Sequence, residues 1–114
     1  MAYLKNFSGQ MLLRVEDDTI KEFSGKILYF IRDNKVTDFS GRIQYVIDGE
    51  YIKEFSGRIL LRVNYSQIKT FSGQIIATYD STYIKEFSGK ILYRLDGFFS
   101  RKQMLALFAV LFAS

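Results

Sequence analysis

The chain has 114 residues, 48% of them hydrophobic and 25% charged, which is enough for a single domain with its own core. It contains no cysteine, histidine, proline or tryptophan, so disulfides, thiolate nucleophiles and histidine chemistry are excluded. Its formal net charge of +4 is compatible with an anionic partner and does not require one. We therefore predict a protein that is not an enzyme and that has no catalytic residue, metal site or cofactor.

From the N-terminus onward, the tripeptide Phe-Ser-Gly recurs every 16 residues without insertion or deletion. Its phenylalanines are Phe7, Phe23, Phe39, Phe55, Phe71 and Phe87. A fixed period of this kind indicates a repeat architecture in which each unit is one small supersecondary element. Residues 1–97 are therefore predicted to form six 16-residue β repeats within a single domain of residues 1–114. The first residues lack the apolar run of a signal peptide, and a cytoplasmic location is expected.

Each repeat carries two turn signals and is predicted to form two short strands. Asp48-Gly49 and Asp96-Gly97 are typical of type I′ hairpin turns. A four-residue loop from Glu54 to Gly57 would close the other end and pair Ile52 with Ile59. The residues at the same repeat position as Ile59 would then face the core. These residues are Met11, Ile27, Ile43, Ile59, Ile75 and Ile91.

The last segment, residues 98–114, is predicted to be an apolar helix. Ser100 and Gln103 have the spacing of a capping box. Residues 104–113 include no polar side chain, so this helix is apolar on every side and must be enclosed. Roughly ten apolar residues are too few to cross a bilayer, which needs about 20.

Twelve short strands followed by one enclosed helix predict an all-β fold with a single helix. A sheet of this width avoids exposed edges by closing, and a barrel wider than the eight-stranded type can hold a central helix. We predict a closed antiparallel 12-stranded meander barrel around the C-terminal helix. The alternative is a β-solenoid with 16-residue coils, in which the phenylalanines would stack as a ladder and the helix would act as a cap.

Antiparallel strands wrapped around a hydrophobic C-terminal helix resemble the tubby, phospholipid-scramblase and LURP-one-like superfamily. In residues, the resemblance is carried by the apolar stretch from Met104 to Ala113. It implies a role in molecular interaction or lipid-headgroup binding and no enzymatic activity. It assigns no binding residue to any position of this chain.

A basic surface is predicted near the Phe-Ser-Gly end of the strands, where the expected register places cations directly opposite one another. Like charges in that arrangement are unfavourable and suggest an anionic ligand. The candidate anion- or lipid-binding residues are Lys21, Lys26, Lys53, Arg58, Lys85 and Lys90. The alternative is an ordinary solvated face whose charge is offset by neighbouring acids.

Two apolar features are also candidates for function. An outward-facing row would form an oligomer interface, and its members are Leu12, Leu28, Leu60, Ile76 and Leu92. We expect the six loop phenylalanines to form a hydrophobic plug over the helix, with a ligand-gripping aromatic rim as the alternative.

Together these features predict a non-enzymatic structural or protein-interaction repeat protein whose partner is itself or another protein. The alternative function is peripheral binding of anionic lipid headgroups through the basic face. Nucleic acid is not an expected partner, because the acidic residues nearly balance the basic ones.

Overall fold

The computed structural model describes residues 2–113, so Met1 and Ser114, the ends of the predicted domain, lie outside the described residues. Within residues 2–113, twelve antiparallel strands form a closed barrel in which β12 pairs with β1. The strands are β1 (Ala2–Asn6), β2 (Met11–Glu16), β3 (Thr19–Glu22), β4 (Ile27–Arg32), β5 (Lys35–Asp38), β6 (Ile43–Asp48), β7 (Tyr51–Lys53), β8 (Ile59–Asn64), β9 (Gln67–Thr70), β10 (Ile75–Tyr79), β11 (Tyr83–Glu86) and β12 (Ile91–Asp96). The predicted barrel is confirmed, and the solenoid is wrong because consecutive strands pair antiparallel around a closed ring.

Tight turns join the strands at one end of the barrel, which we call the turn end. Asp48 pairs with Tyr51, so the two turn residues are Gly49 and Glu50 rather than the predicted Asp48 and Gly49. In four of the five turns the first turn residue has a positive φ, 61° at Gly49, a conformation that glycine adopts without steric cost. Asp96-Gly97 is not a hairpin turn, because β12 ends there and the chain continues into the helix.

Phe-Ser-Gly loops join the strands at the opposite end, which we call the loop end. The amide of Glu54 donates to the carbonyl of Arg58 at 2.9 Å, and the amide of Gly57 donates to the carbonyl of Glu54 at 2.9 Å. The loop therefore has three residues instead of the predicted four, with Gly57 at a φ of 98°. This is the geometry of a three-residue hairpin loop that ends in a glycine bulge.

A second irregularity follows each loop and changes which residues face the core. Ile52 pairs with Leu61 and Lys53 with Ile59, so Leu60 is an extra residue without a partner. The same shift occurs after all six loops. A β-bulge of this kind resets the in-out alternation. The row that contains Ile59 was predicted to face the core, but its members pair with outward-facing residues such as Lys53.

The C-terminal helix, α1 (Arg101–Phe112), runs through the barrel interior. Its N-terminus has the predicted capping box between Ser100 and Gln103. Five consecutive residues, Leu105 to Ala109, are at most 3% exposed, which requires protein on every side of the helix. The Gln103 Nε2 donates to the carbonyl oxygen of Asp17 at 2.9 Å, so the helix enters from the turn end. The barrel is thus filled by the chain's own C-terminal segment.

Candidate functional site: the phenylalanine rim

The loop end carries a ring of exposed phenylalanines. Successive connections of an up-and-down barrel alternate between its two ends, so all six Phe-Ser-Gly loops lie at the same end. We call their aromatic side chains the phenylalanine rim: Phe7, Phe23, Phe39, Phe55, Phe71 and Phe87. These side chains are 65–76% exposed. The predicted hydrophobic plug is therefore wrong, because the helix already fills the interior and the loops hold the rings outside it.

The rim encircles an apolar opening. Past the enclosed stretch of α1, Val110, Leu111 and Phe112 become half-buried again. Because the wall is closed and the helix enters from the turn end, this exposure comes from the loop end. Leu13 and Tyr29, inward-facing residues nearest the loops, are also half-buried. The loop end is thus an open apolar mouth inside a ring of exposed aromatic side chains.

Free cations stand beside the rim. Four loops place a basic residue directly after the glycine, and these residues are Lys26, Arg42, Arg58 and Lys90. All four are exposed, and none forms an ion pair within residues 2–113. Their charge is therefore available to an anion from solution.

Carboxylates stand on the other side of four of the phenylalanines, and the loop serines hold them in place. The Ser40 hydroxyl donates to the Asp38 carboxylate at 2.6 Å. This hydrogen bond, supported by the backbone amides of Arg42 and Ser40, holds the pKa of Asp38 below its usual range. Equivalent serine-to-glutamate hydrogen bonds of 2.6 Å occur at Glu22, Glu54 and Glu86. The loop end therefore carries cations and carboxylates among the aromatic side chains of the rim.

The predicted anion-binding residues divide into two sets. Lys21, Lys53 and Lys85 pair with Ile27, Ile59 and Ile91, so the predicted juxtaposition of like charges is wrong. The remaining candidates, Lys26, Arg58 and Lys90, lie in the loops. The bulge after each loop separates the two sets by shifting the register.

Members of the first set are already engaged by other side chains. The ammonium of Lys53 lies 2.8 Å from the Asp48 carboxylate, and that of Lys21 lies 3.5 Å from Glu16. The Lys85 ammonium stands 5.6 Å from the centre of the Tyr83 ring. Only the loop residues remain free for a ligand. Sequence reasoning missed Arg42, although its position in the repeat matches that of Lys26 and Arg58.

The residues of the predicted oligomer row are half-buried. Leu12, Leu60 and Ile76 also pack against the buried core, whereas Leu28 and Leu92 are half-buried without being part of that cluster. Each of the five is the extra residue of a bulge. Their use as an oligomer interface stays a prediction.

Within residues 2–113, no three Asp or Glu side chains are grouped to hold a metal ion, and no helix has the length and hydrophobicity to cross a membrane. No protein-family model, no curated protein and no solved structure matches the chain. The resemblance to the tubby and scramblase superfamily therefore stays a prediction.

Proposed function

We propose that the protein docks on anionic membrane surfaces through its phenylalanine rim. The observation that carries the proposal is that all six rim side chains are exposed at one end of the barrel. Exposed apolar surface concentrated in this way is characteristic of contact sites. The helix-filled barrel would act as a rigid scaffold that presents every ring to the bilayer at once.

The free energies of ring burial and charge attraction favour reversible membrane association. Fully burying a phenylalanine gains about 1.5–3 kcal/mol, so a side chain about two-thirds exposed has about 1–2 kcal/mol left to gain. A free cation near an anionic surface adds up to about 1 kcal/mol, and less where a neighbouring carboxylate faces the same surface. The rim and its neighbouring cations together offset the entropy lost on association, which is several kcal/mol. No membrane-spanning helix is needed for binding of this strength.

The composition of the loop end favours a membrane. An anionic bilayer supplies both an apolar layer for the rings and phosphates for the cations. A structural or protein-interaction role, the first function predicted from the sequence, would use the same rim and is the competing outcome.

Vesicle sedimentation tests the proposal. The wild-type chain is expected to sediment with phosphatidylcholine vesicles containing phosphatidylserine, and to bind less at high salt and with phosphatidylcholine alone. Replacing Phe39, Phe55 and Phe71 by serine should abolish sedimentation. The matched control replaces Tyr65 and Phe98 by serine and should leave binding unchanged. Both are exposed aromatic residues outside the rim. Absence of wild-type binding to the anionic vesicles at low salt would refute the proposal.

A further inference from the structure

The net charge of the chain is concentrated on one side of the barrel. Residues 58–95, which include nearly all of the contiguous strands β8 to β12, contain six basic and two acidic side chains. The other residues contain ten of each. The whole formal charge of +4 therefore belongs to this side, which we call the positive sector.

Ion pairing leaves cations free on both sides of the barrel. Within residues 2–113, the positive-sector cations that form no ion pair are Arg58, Lys69, Lys85, Lys90 and Arg94. On the rest of the wall, Lys5, Lys21 and Lys53 are held by carboxylates at the turn end. Among the cations that directly follow a loop glycine, Arg58 and Lys90 lie on the positive sector, and Lys26 and Arg42 lie outside it.

A groove between two neighbouring loops places one of these cations beside a rim phenylalanine. Its volume is about 600 Å³, and it is lined by Gly57, Arg58, Ile59 and Phe71. The residue before Phe71 is Thr70, which is neutral. The groove therefore combines an aromatic ring, an aliphatic side chain and a cation with no carboxylate among its lining residues.

The equivalent groove two repeats earlier differs in charge. It has a volume of about 340 Å³ and is lined by Lys26, Ile27 and Phe39, among others, together with Asp38. Asp38 occupies the repeat position of Thr70, so this groove contains an acid as well as a cation. Two grooves of the same construction thus differ by one negative charge.

The repeat extends this comparison to the whole rim. Each groove lies between the residue after one loop glycine and the residue before the next rim phenylalanine. Two grooves combine a cation with an acid, Lys26 with Asp38 and Arg42 with Glu54, and two combine a glutamine with an acid, Gln10 with Glu22 and Gln74 with Glu86. The last two combine a cation with a neutral residue, Arg58 with Thr70 and Lys90 with Asn6. The pairing of β12 with β1 closes the barrel and sets Phe7 beside Lys90 as Phe71 is set beside Arg58.

We propose that the Arg58–Phe71 and Lys90–Phe7 grooves are binding sites for the anionic headgroup of a membrane lipid. The cation would pair with the phosphate, while the phenylalanine ring and the neighbouring isoleucine would contact the glycerol and upper acyl carbons. This inference rests on the proposed membrane docking and deepens it. Because both grooves flank the positive sector, the barrel would dock tilted toward that side.

Matched charge substitutions test the assignment. Arg58→Gln with Lys90→Gln should weaken binding to phosphatidylserine vesicles about 25-fold, at about fivefold per cation. Lys26→Gln with Arg42→Gln removes the same charge from the same repeat positions, but there the residue before the next rim phenylalanine is an acid, Asp38 or Glu54. This control should weaken binding less than about threefold. Equal losses in the two double variants would overturn the assignment.

A short-chain lipid separates this inference from the proposed docking. Dihexanoyl-phosphatidylserine below its micelle concentration should shift the NMR amide signals of Arg58, Phe71 and Lys90 in the wild-type chain, whereas inorganic phosphate at the same concentration should not. Groove shifts without vesicle binding would support the sites and refute membrane docking. Vesicle binding without groove shifts would keep the docking and refute the sites. Equal shifts with inorganic phosphate would refute recognition of a lipid.

Discussion

The ring of Tyr79, on β10, lies 4.7 Å from the ring of Phe108, in the C-terminal helix, with an angle of 59° between their planes. Phe108 is fully buried, so Phe108→Ala should lower the free energy of unfolding by about 3–5 kcal/mol. Urea denaturation measures the change. Phe98→Ala is the control: that side chain is 84% exposed and should change stability by less than about 0.5 kcal/mol. Equal effects would mean that the helix does not fill the barrel.

Removing the helix should leave the barrel without a core. A chain that ends at Gly97 would expose the inward-facing apolar residues of all twelve strands to water. We expect it to lose its cooperative thermal transition and to bind the dye ANS. Leu107→Asp places a charge at a fully buried position and should have the same effect in the full-length chain. A cooperative transition at the wild-type temperature in either variant would contradict this account.

One hairpin turn holds a strained tyrosine. Tyr65 has a φ of 30°, although it is not glycine, and its side chain is 96% exposed. A left-handed conformation costs a residue with a side chain about 1–2 kcal/mol. Glycine avoids this cost, but the greater entropy of its unfolded state cancels part of the gain in stability. Tyr65→Gly should therefore raise the free energy of unfolding by about 0.5–1 kcal/mol. Tyr65→Ala keeps the strain and should give no gain; a gain from alanine equal to that from glycine would rule out strain as the cause.

Asp80 makes the stability depend on pH in the acidic range. The backbone amides of Thr82 and Tyr83 donate to its carboxylate at 2.8 and 2.7 Å and hold its pKa below the usual range. Its contribution to stability is fully present above the unfolded-state pKa, about 3.9, and is lost as the pH falls through the lower folded-state value. Thermal unfolding between about pH 4 and pH 2 should show a shallower loss for Asp80→Asn than for the wild type. Parallel curves would contradict this role.

Much of the fold follows from the sequence because the repeat leaves few alternatives. The exact period of Phe-Ser-Gly predicts the number of strands, and the apolar run after Met104 predicts an enclosed helix. Their combination predicts closure of the sheet. The capping box of Ser100 and Gln103 was also predicted correctly, since it depends only on local spacing.

The register at the loop end could not be predicted, because it depends on one extra residue in each repeat. Leu60 and Ile59 are both apolar, so the sequence does not indicate which of them leaves the strand pairing. Placing the bulge one residue differently reverses which side chain faces outward. The error placed Lys53 opposite Arg58 instead of Ile59.

The exposure of the rim was missed for a related reason. An aromatic residue that recurs in every repeat is more often buried than exposed, and Phe55 was therefore assigned to a plug. Its exposure results from the three-residue loop and from the volume that the helix already occupies. Neither the length of the loop nor the volume filled by the helix can be predicted from the repeat alone.

A single tryptophan measures the docking geometry most directly, because the natural chain contains none. We predict that Phe71→Trp, on the rim, will show a blue-shifted emission and quenching by brominated acyl chains when anionic vesicles are added. Phe98→Trp, an exposed position outside the rim, should show neither change under the same conditions. A Phe71→Trp spectrum that stays unshifted while the protein sediments with the vesicles, or an equal response from Phe98→Trp, would contradict docking through the phenylalanine rim.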